Sequence, residues 1–179
     1  MTLASQPALS TAELLEDSRD KGSALGILMA VVLANAASVA EFSWRDFVLP
    51  EVDSLWTIAG VLVAACGMAL RLWAIRSLGR YFTSSVSFVE GQRVKTAGPY
   101  RYVRHPSYTG SLATVVGTAM ALGSALGLIL VGAIVVPAYL YRIRVEEQHL
   151  IGRLGDEYTR YCDSTPALLP SLRRIQNSV

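Results

Sequence analysis

Long apolar runs, separated by short polar segments, dominate the pattern of this chain. The longest covers residues 107 to 141, 35 positions without a charged side chain. A single helix of that length would run about 52 Å at about 1.5 Å per residue, whereas the hydrocarbon layer of a membrane is about 30 Å thick. Gly123 and Ser124, with Gly127 close behind, favour a tight turn near the middle. The run therefore predicts a hairpin of two helices whose outer ends return to the same membrane face.

Two further apolar runs precede the hairpin. Residues 23 to 40 carry no charge, and the run from residue 54 to 70 continues past Arg71 to about Ile75. Each is long enough to cross a bilayer once. Composition agrees, because 52% of the residues are hydrophobic and only 17% are charged. We therefore expect an all-α integral membrane protein with four transmembrane helices, of which the third and fourth form the hairpin.

Lysine and arginine are distributed unevenly around these runs. Of the 16 basic residues, 15 fall before the first predicted helix, between the second and third, or after the fourth, and only Arg45 lies in the remaining loop. Because basic residues of short loops stay on the cytoplasmic side, we expect a multi-pass protein with both termini and the polar segments beside the hairpin in the cytoplasm. The net charge of +2 gives no reason to expect a nucleic-acid partner.

The pattern divides the chain into three parts. We expect a cytosolic N-terminal segment at 1–22, transmembrane helices 1 and 2 at 23–76, and a region at 77–179 that holds a cytosolic connector, the hairpin and a C-terminal segment. A cleaved signal peptide is the competing interpretation of the first apolar run, since small residues at 38–40 resemble a cleavage site. The acidic residues ahead of that run disfavour it, because signal peptides begin with a short basic stretch.

Aromatic and basic side chains cluster in the segment just before the hairpin. Gly98 and Pro99 break the chain there, and residues 81 to 96 ahead of them predict a short β-hairpin or an extended flap. Glycine and proline that break the chain in a loop would explain part of this composition. Basic and aromatic side chains that anchor the protein to lipid headgroups would explain another part. They do not explain why a histidine and a tyrosine share one helix face, three positions apart. The clustered side chains are Tyr100, Arg101, Tyr102, Arg104, His105 and Tyr108.

A second polar cluster follows the hairpin. Arg142 and Glu146 are four residues apart and could form an intrahelical ion pair. Glu146 and Glu147 could be a solvated charged face, but if they are buried they need a cation between them, which a cationic ligand would supply. Arg71, near the end of the second predicted helix, either faces the bundle interior or snorkels to the membrane surface.

These residues together resemble the family of integral membrane methyltransferases that includes isoprenylcysteine carboxyl methyltransferases and related phospholipid N-methyltransferases. The resemblance covers about residues 67 to 170. The Arg-His-Pro-x-Tyr-x-Gly motif and the glutamate pair are specific in combination, whereas either half alone would be weak. The matching segments, in order, are Gly98-Pro-Tyr100, Arg104-His-Pro-Ser-Tyr108-Thr-Gly110, Arg142 with Glu146-Glu147, Gly155-Asp-Glu-Tyr158-x-x-Tyr161 and Leu168-Leu169-Pro170.

The resemblance implies S-adenosylmethionine as the cofactor, held in a cytosolic pocket that loops and a C-terminal helix form, with Tyr158 and Tyr161 as its cover. It implies an arginine that orients a carboxylate nucleophile, or a glutamate base that takes the proton from an amine. No metal site is expected. The implied catalytic residues are Arg71, Arg142 and Glu146. The implied cofactor-binding residues are Gly98, Tyr100, Val103, Arg104, His105, Tyr108, Glu146, Glu147 and Tyr158.

The methyl acceptor is left open by these residues. Eukaryotic carboxyl methyltransferases carry a glutamate at the position of Met68, and this chain keeps only the neighbouring Arg71. We expect a lipophilic small molecule or prenylated acceptor that enters from the bilayer, and the alternatives are phospholipid amine or thiol methylation. A non-enzymatic adaptor that binds anionic lipid would not need the fixed motif. A transporter would need polar residues near mid-membrane, where the spans offer little beyond Asn35.

Overall fold

The computed structural model describes residues 11–48, 54–79 and 94–170, and within them every regular element is helical, as predicted. The predicted flap at 81–96 lies mostly outside the described residues, as do residues 1–10. The helices are α1 (Thr11–Val48), α2 (Ser54–Leu78), α3 (Pro106–Ala121), α4 (Ala125–Leu130), α5 (Val136–Leu154) and α6 (Asp156–Ser164), with a short 3-10 helix at Gly98–Arg101. A π-helical turn, Val131–Val135, joins α4 to α5 in one continuous helix of 30 residues.

Three segments of the described chain are long and apolar enough to cross a membrane: Gly22–Arg45, Leu55–Leu78 and Ala125–Leu154. Large apolar side chains on each of them point away from the bundle, and Met29 and Ile129 are more than half exposed. Such a surface suits contact with lipid. The chain is therefore an integral membrane protein. The helix α3, with 16 residues, is only about 24 Å long at about 1.5 Å per residue.

The hairpin breaks where the sequence predicted. The helix α3 ends at Ala121, Gly123 takes a positive φ of 58°, and Ser124 directly precedes α4. The Ser124 hydroxyl accepts a hydrogen bond of 2.8 Å from the backbone N–H of Gly127, so it serves as the N-cap. The prediction of a turn at Gly123 and Ser124 is confirmed.

The C-terminal end of α1 stabilises this turn through side-chain contacts. The sequence did not indicate these contacts. The Glu41 carboxylate accepts hydrogen bonds from the Ser124 hydroxyl at 2.5 Å and from the backbone N–H of Leu126 at 2.9 Å. The Arg45 guanidinium donates to the carbonyl of Gly123. Two charged side chains of α1 thus satisfy backbone groups at the turn, which helix termini otherwise leave unpaired.

The helices α2 and α3 run antiparallel and touch backbone to backbone. Gly60 and Gly67 of α2 face Gly117 and Gly110 of α3, and a Cβ atom at any of the four would overlap the backbone of the other helix. Glycine permits this approach because it has no side chain, and such small-residue contacts are common between membrane helices. This close contact fixes the position of α3 along α2.

The helix α1 packs on the opposite side of the hairpin. Ala30 and Ala34 of α1 form a buried core with Val131, Val135 and Tyr139 of the long helix. Val135 and Ala34 are almost completely inaccessible. This core holds α5 against α3, so the polar residues at the outer ends of the hairpin meet.

Candidate active site

The segment after α6 folds back onto the loop that begins α3. The backbone N–H groups of Arg104 and His105 donate to the carbonyls of Pro166 and Ala167 at 2.9 and 3.0 Å. The Thr109 hydroxyl donates to the carbonyl of Leu168 at 2.7 Å. We call residues 165–168 the C-terminal strap. It fixes the backbone of the Arg-His-Pro motif, and no sequence pattern indicated this pairing.

Glu147 receives two basic partners across the hairpin. Its Oε1 accepts a 2.7 Å hydrogen bond from Arg104 Nε and lies 3.0 Å from His105 Nε2. The three side chains are mostly buried, with exposed fractions of 18% for Glu147, 12% for Arg104 and 6% for His105. An ionised carboxylate can only accept, so the histidine donates through Nε2. A carboxylate at this depth is tolerated because it is paired with a cation.

Arg104 also connects this pair to the C-terminal segment. Its guanidinium donates to the carbonyl of Cys162 at 2.9 Å and to the carbonyl of Thr165. Burial works to lower the pKa of Arg104, but the hydrogen bond and charge of Glu147 outweigh it, so the pKa is raised above the ordinary value. The side chain is therefore charged at every physiological pH. One cation holds the glutamate, α6 and the strap together.

Glu146 has a different set of contacts. Its Oε2 accepts a 2.8 Å hydrogen bond from the Tyr108 hydroxyl, and Arg142 Nε lies 3.3 Å from the same hydroxyl. Arginine has no acceptor, so the guanidinium donates to the tyrosine oxygen and the hydroxyl proton goes to Glu146. The tyrosine thus bridges two residues that the spacing suggested as a direct pair. Among the described residues, Glu146 has no basic side chain in ion-pair contact.

Aromatic packing fixes the Tyr108 ring. It stacks on His105 with ring centres 5.5 Å apart and planes 4° apart. It also meets Tyr139 of α5, with ring centres 5.2 Å apart and tilted planes. The sequence analysis did not select Tyr139, because one aromatic residue inside an apolar run gives no signal of its own. The histidine and tyrosine of the motif do share one face, as their spacing predicted.

Buried tyrosines close the site beside the 3-10 helix. The Tyr161 hydroxyl donates to the carbonyl of Tyr100 at 2.6 Å, and Tyr158 packs edge-on against Tyr161. Burial, with the charge of Glu146 for Tyr100 and of Glu147 for Tyr158, raises the pKa of both phenols well above the ordinary value. Both therefore remain neutral. Val103 is buried beside them, and Gly98 begins the 3-10 helix with a φ of 64°.

Arg71 lies apart from the glutamate pair. Its guanidinium donates to the Ser111 hydroxyl and, at 3.5 Å, approaches the carbonyl of Ser107, both on α3. It is partly buried between α2 and α3 and forms no ion pair within the described chain. The structure thus brings together six of the predicted residues and places Arg71 on a neighbouring helix. The six are Arg104, His105, Tyr108, Arg142, Glu146 and Glu147.

Comparisons with known proteins identify the family to which the chain belongs. A family model described as phospholipid methyltransferase matches residues 55–157. Protein-S-isoprenylcysteine O-methyltransferase B of Arabidopsis thaliana is 32% identical over 152 residues, which cover 83% of this chain and 77% of the relative. The protein-S-isoprenylcysteine O-methyltransferase of Schizosaccharomyces pombe is 29% identical over 149 residues, which cover 80% of this chain and 63% of that relative.

A solved structure shares the fold. It is the eukaryotic intramembrane Ras methyltransferase ICMT (isoprenylcysteine carboxyl methyltransferase), with a TM-score of 0.68 and 25% identity. The match covers 78% of this chain and 51% of the other, so this chain spans about half the length of that protein. The helical bundle is thus that of a membrane methyltransferase. The chain belongs to the phospholipid methyltransferase family, and its relatives there are protein-S-isoprenylcysteine O-methyltransferases. The predicted family membership is confirmed.

Proposed function

We propose that the protein transfers a methyl group from S-adenosylmethionine to the carboxylate of an isoprenylcysteine-like or similar lipophilic acceptor that arrives from the bilayer. The observation that carries this proposal is the pair of adjacent, partly buried carboxylates at the open end of the hairpin. Glu147 is paired with Arg104 and hydrogen-bonded to His105, whereas Glu146 receives only the Tyr108 hydroxyl within the described residues. The names of the relatives support the choice of acceptor.

The residues present fit this cofactor. S-adenosylmethionine carries a sulfonium, an ammonium and ribose hydroxyls, and a carboxylate without a cation partner in a half-buried site favours a positively charged ligand. Glu146 would hold the positively charged groups of the cofactor. The ribose hydroxyls and the remaining groups would be held by Glu147, His105 and the backbone between Gly98 and Val103. When bound, the cofactor supplies an electrophilic methyl group on its sulfur.

The protein's own contribution is to position groups and exclude water. Methyl transfer needs the nucleophile, the methyl carbon and the sulfur in a line, so rigid placement supplies much of the rate. Tyr158 and Tyr161, both buried, would keep water from the cofactor. The Tyr108 ring, held between His105 and Tyr139, keeps the Glu146 carboxylate in one orientation.

A carboxylate acceptor needs a cation to orient it and no base, because it is already ionised near pH 7. Arg142 is only 3% exposed and donates to Tyr108 and Ser23. Arg71 is more accessible and reaches from α2 to the Ser111 hydroxyl of α3. We therefore assign the orienting role to Arg71. An amine acceptor would instead need a base, for which Glu146 would serve.

The topology of the site is part of the proposal. We infer that α3 is a fourth crossing and that both termini and the site are cytoplasmic, with the parts 1–22, 23–76 and 77–179 as predicted. The hairpin supports this, because His105 and Glu147 meet at one end and Arg45 contacts the turn at the other. The distribution of basic residues gives the orientation.

The decisive experiment offers purified protein methyl-labelled S-adenosylmethionine and a panel of acceptors. The panel contains prenylcysteine analogues, fatty acids, phosphatidylethanolamine and lipophilic thiols. Base-labile label on a carboxylate acceptor would support the proposal, since esters hydrolyse in base. Base-stable label on phosphatidylethanolamine or on a thiol would replace it with one of the two alternatives.

Cofactor affinity tests the site separately. His105→Ala and Glu147→Gln should each abolish measurable binding of S-adenosylmethionine in calorimetry, because His105→Ala removes the histidine contact to Glu147 and Glu147→Gln removes the charge that pairs with Arg104. Glu157→Gln is the matched control, since Glu157 is exposed on α6. Wild-type affinity in His105→Ala or Glu147→Gln would refute the assignment of these residues.

A further inference from the structure

The second helix of the hairpin contains the π-helical turn Val131–Val135, which we call the π-turn. We propose that Pro137 imposes the π-turn, and that the π-turn positions the active site by setting the rotation of α5 that turns Glu146 towards Tyr108. Pro137 is then a positioning residue, although it is exposed on an apolar stretch of the helix, outside the motif and the glutamate pair. Single-turn π-helices inside α-helices occur frequently at functional sites.

Proline explains why the helix widens at this place. The Val136 N–H donates to the carbonyl of Val131, five residues back, as in a π-helix. Pro137 has no N–H, and in a regular α-helix its ring would clash with the carbonyl of Ala133, four residues before it. Local π-helical adjustment is one way in which a membrane helix accommodates a proline. We therefore attribute the π-turn to Pro137.

The buried positions of this helix show the effect of the extra residue in the π-turn. In a regular α-helix a step of four residues advances about 40° beyond a full turn, so three such steps would place Tyr139 about 120° away from Gly127. One additional residue in a turn removes about 100° of this drift, which keeps the two residues on one face. The buried residues at intervals of four are Gly127, Val131, Val135 and Tyr139.

Both ends of the helix are held by other elements, so its rotation matters. At the hairpin turn, the Glu41 carboxylate of α1 accepts hydrogen bonds from the Ser124 hydroxyl and the Leu126 N–H. At the site, Glu146 accepts a 2.8 Å hydrogen bond from Tyr108 of α3. Closing the π-turn would rotate α5 by about 100°, and a Cα atom on a cylinder of about 2.3 Å radius would then move about 3.5 Å. Such a displacement would break the bond between Tyr108 and Glu146.

The first test measures affinity for S-adenosylmethionine, and this readout rests on the proposed function. Pro137→Ala lets the π-turn close, so binding should weaken at least about tenfold, the effect of losing one hydrogen bond to a charged group. Deleting Gly132 in the Pro137→Ala background removes the extra residue, so α5 recovers its rotation and the wild-type affinity should return. Gly132 has open space around it, so its deletion removes no packing contact.

This recovery separates a positioning role from a merely structural one, because two independent lesions would add and not cancel. The matched control deletes Gly152 in the same Pro137→Ala background. Gly152 also has open space around it, but it lies beyond Glu146, so its deletion should restore nothing. Unchanged affinity in Pro137→Ala would overturn the proposal, as would a Gly132 deletion that fails to restore binding.

The second test reads the rotation of α5 without a cofactor. In a chain whose two cysteines are replaced by serine, Ile143→Cys should resist a maleimide in detergent micelles and Arg144→Cys should react, because Ile143 is 4% exposed and Arg144 is exposed. Closing the π-turn moves each later residue to the angular position of its successor. Pro137→Ala should therefore reverse the two reactivities, and deleting Gly132 as well should restore them.

An alkylation pattern that Pro137→Ala leaves unchanged would overturn the proposal, and so would a pattern that the Gly132 deletion does not restore. If the wild type fails to bind S-adenosylmethionine, the proposed function fails. The reactivities of Ile143→Cys and Arg144→Cys still decide in that case whether Pro137 and the π-turn set the rotation of α5.

Discussion

Replacing Arg104 with lysine should release the C-terminal segment from the site. The guanidinium bonds to Glu147 and to the carbonyls of Cys162 and Thr165 at once. A lysine ammonium keeps the charge but has neither the planar fork nor the same reach, so it can keep the bond to Glu147 and loses the two carbonyls.

The size of the effect follows from these contacts. A hydrogen bond to a charged group contributes about 1.5 to 3 kcal/mol, and the Arg104 side chain is 12% exposed, so we take the lower end for each bond. Losing two of them gives about 3 kcal/mol, or about 150-fold more opening of the strap and α6. The amides of residues 156–170 should then exchange with deuterium faster by the same factor.

Hydrogen exchange followed by mass spectrometry measures the exchange rates of these amides directly, with the protein in detergent micelles. Arg160→Lys is the matched control, because Arg160 is exposed on α6 itself and has no bond to the strap. Affinity for S-adenosylmethionine should fall in Arg104→Lys together with the faster exchange. Unchanged protection of residues 156–170 would refute the view that one cation holds the segment in place.

Three further changes have distinct readouts. Arg71→Leu should lower turnover at least tenfold more than it lowers cofactor affinity, because Arg71 has no contact with the glutamate pair; wild-type turnover would exclude it from the mechanism. Gly117→Ala should cost about 1 to 3 kcal/mol of stability by forcing α3 away from the α2 backbone, whereas Gly132→Ala, which has open space, should leave the thermal midpoint unchanged. Burial raises the pKa of the Cys162 thiol, although the charge of Arg104 opposes this. In a Cys66→Ser background, alkylation of Cys162 should therefore rise with pH along a curve displaced to higher pH than that of a small free thiol, and a coincident curve would contradict the partly buried placement.

Much of the fold and part of the site could be predicted from the chain alone. Long uncharged runs indicate which residues lie within the membrane. A run that is too long for one crossing must turn, and it turns where glycine and serine allow it. The turn at Gly123 and Ser124 and the shared face of His105 and Tyr108 follow from such local rules. The motif together with the glutamate pair also indicated the family, which the comparisons confirm.

The arrangement around the site depended on contacts that no local pattern encodes. Ser23 is one serine among several in an apolar run, and only the packing of α1 against α5 brings it to Arg142. The strap bonds to the Arg-His-Pro loop through backbone atoms, which every residue carries and no sequence marks. The sequence by itself determined a helical membrane hairpin that brings a histidine motif and a glutamate pair to one face. Tertiary structure decided which carboxylate is neutralised by Arg104 and which is oriented through Tyr108, because a side chain's partners depend on distances between helices that are far apart in the chain.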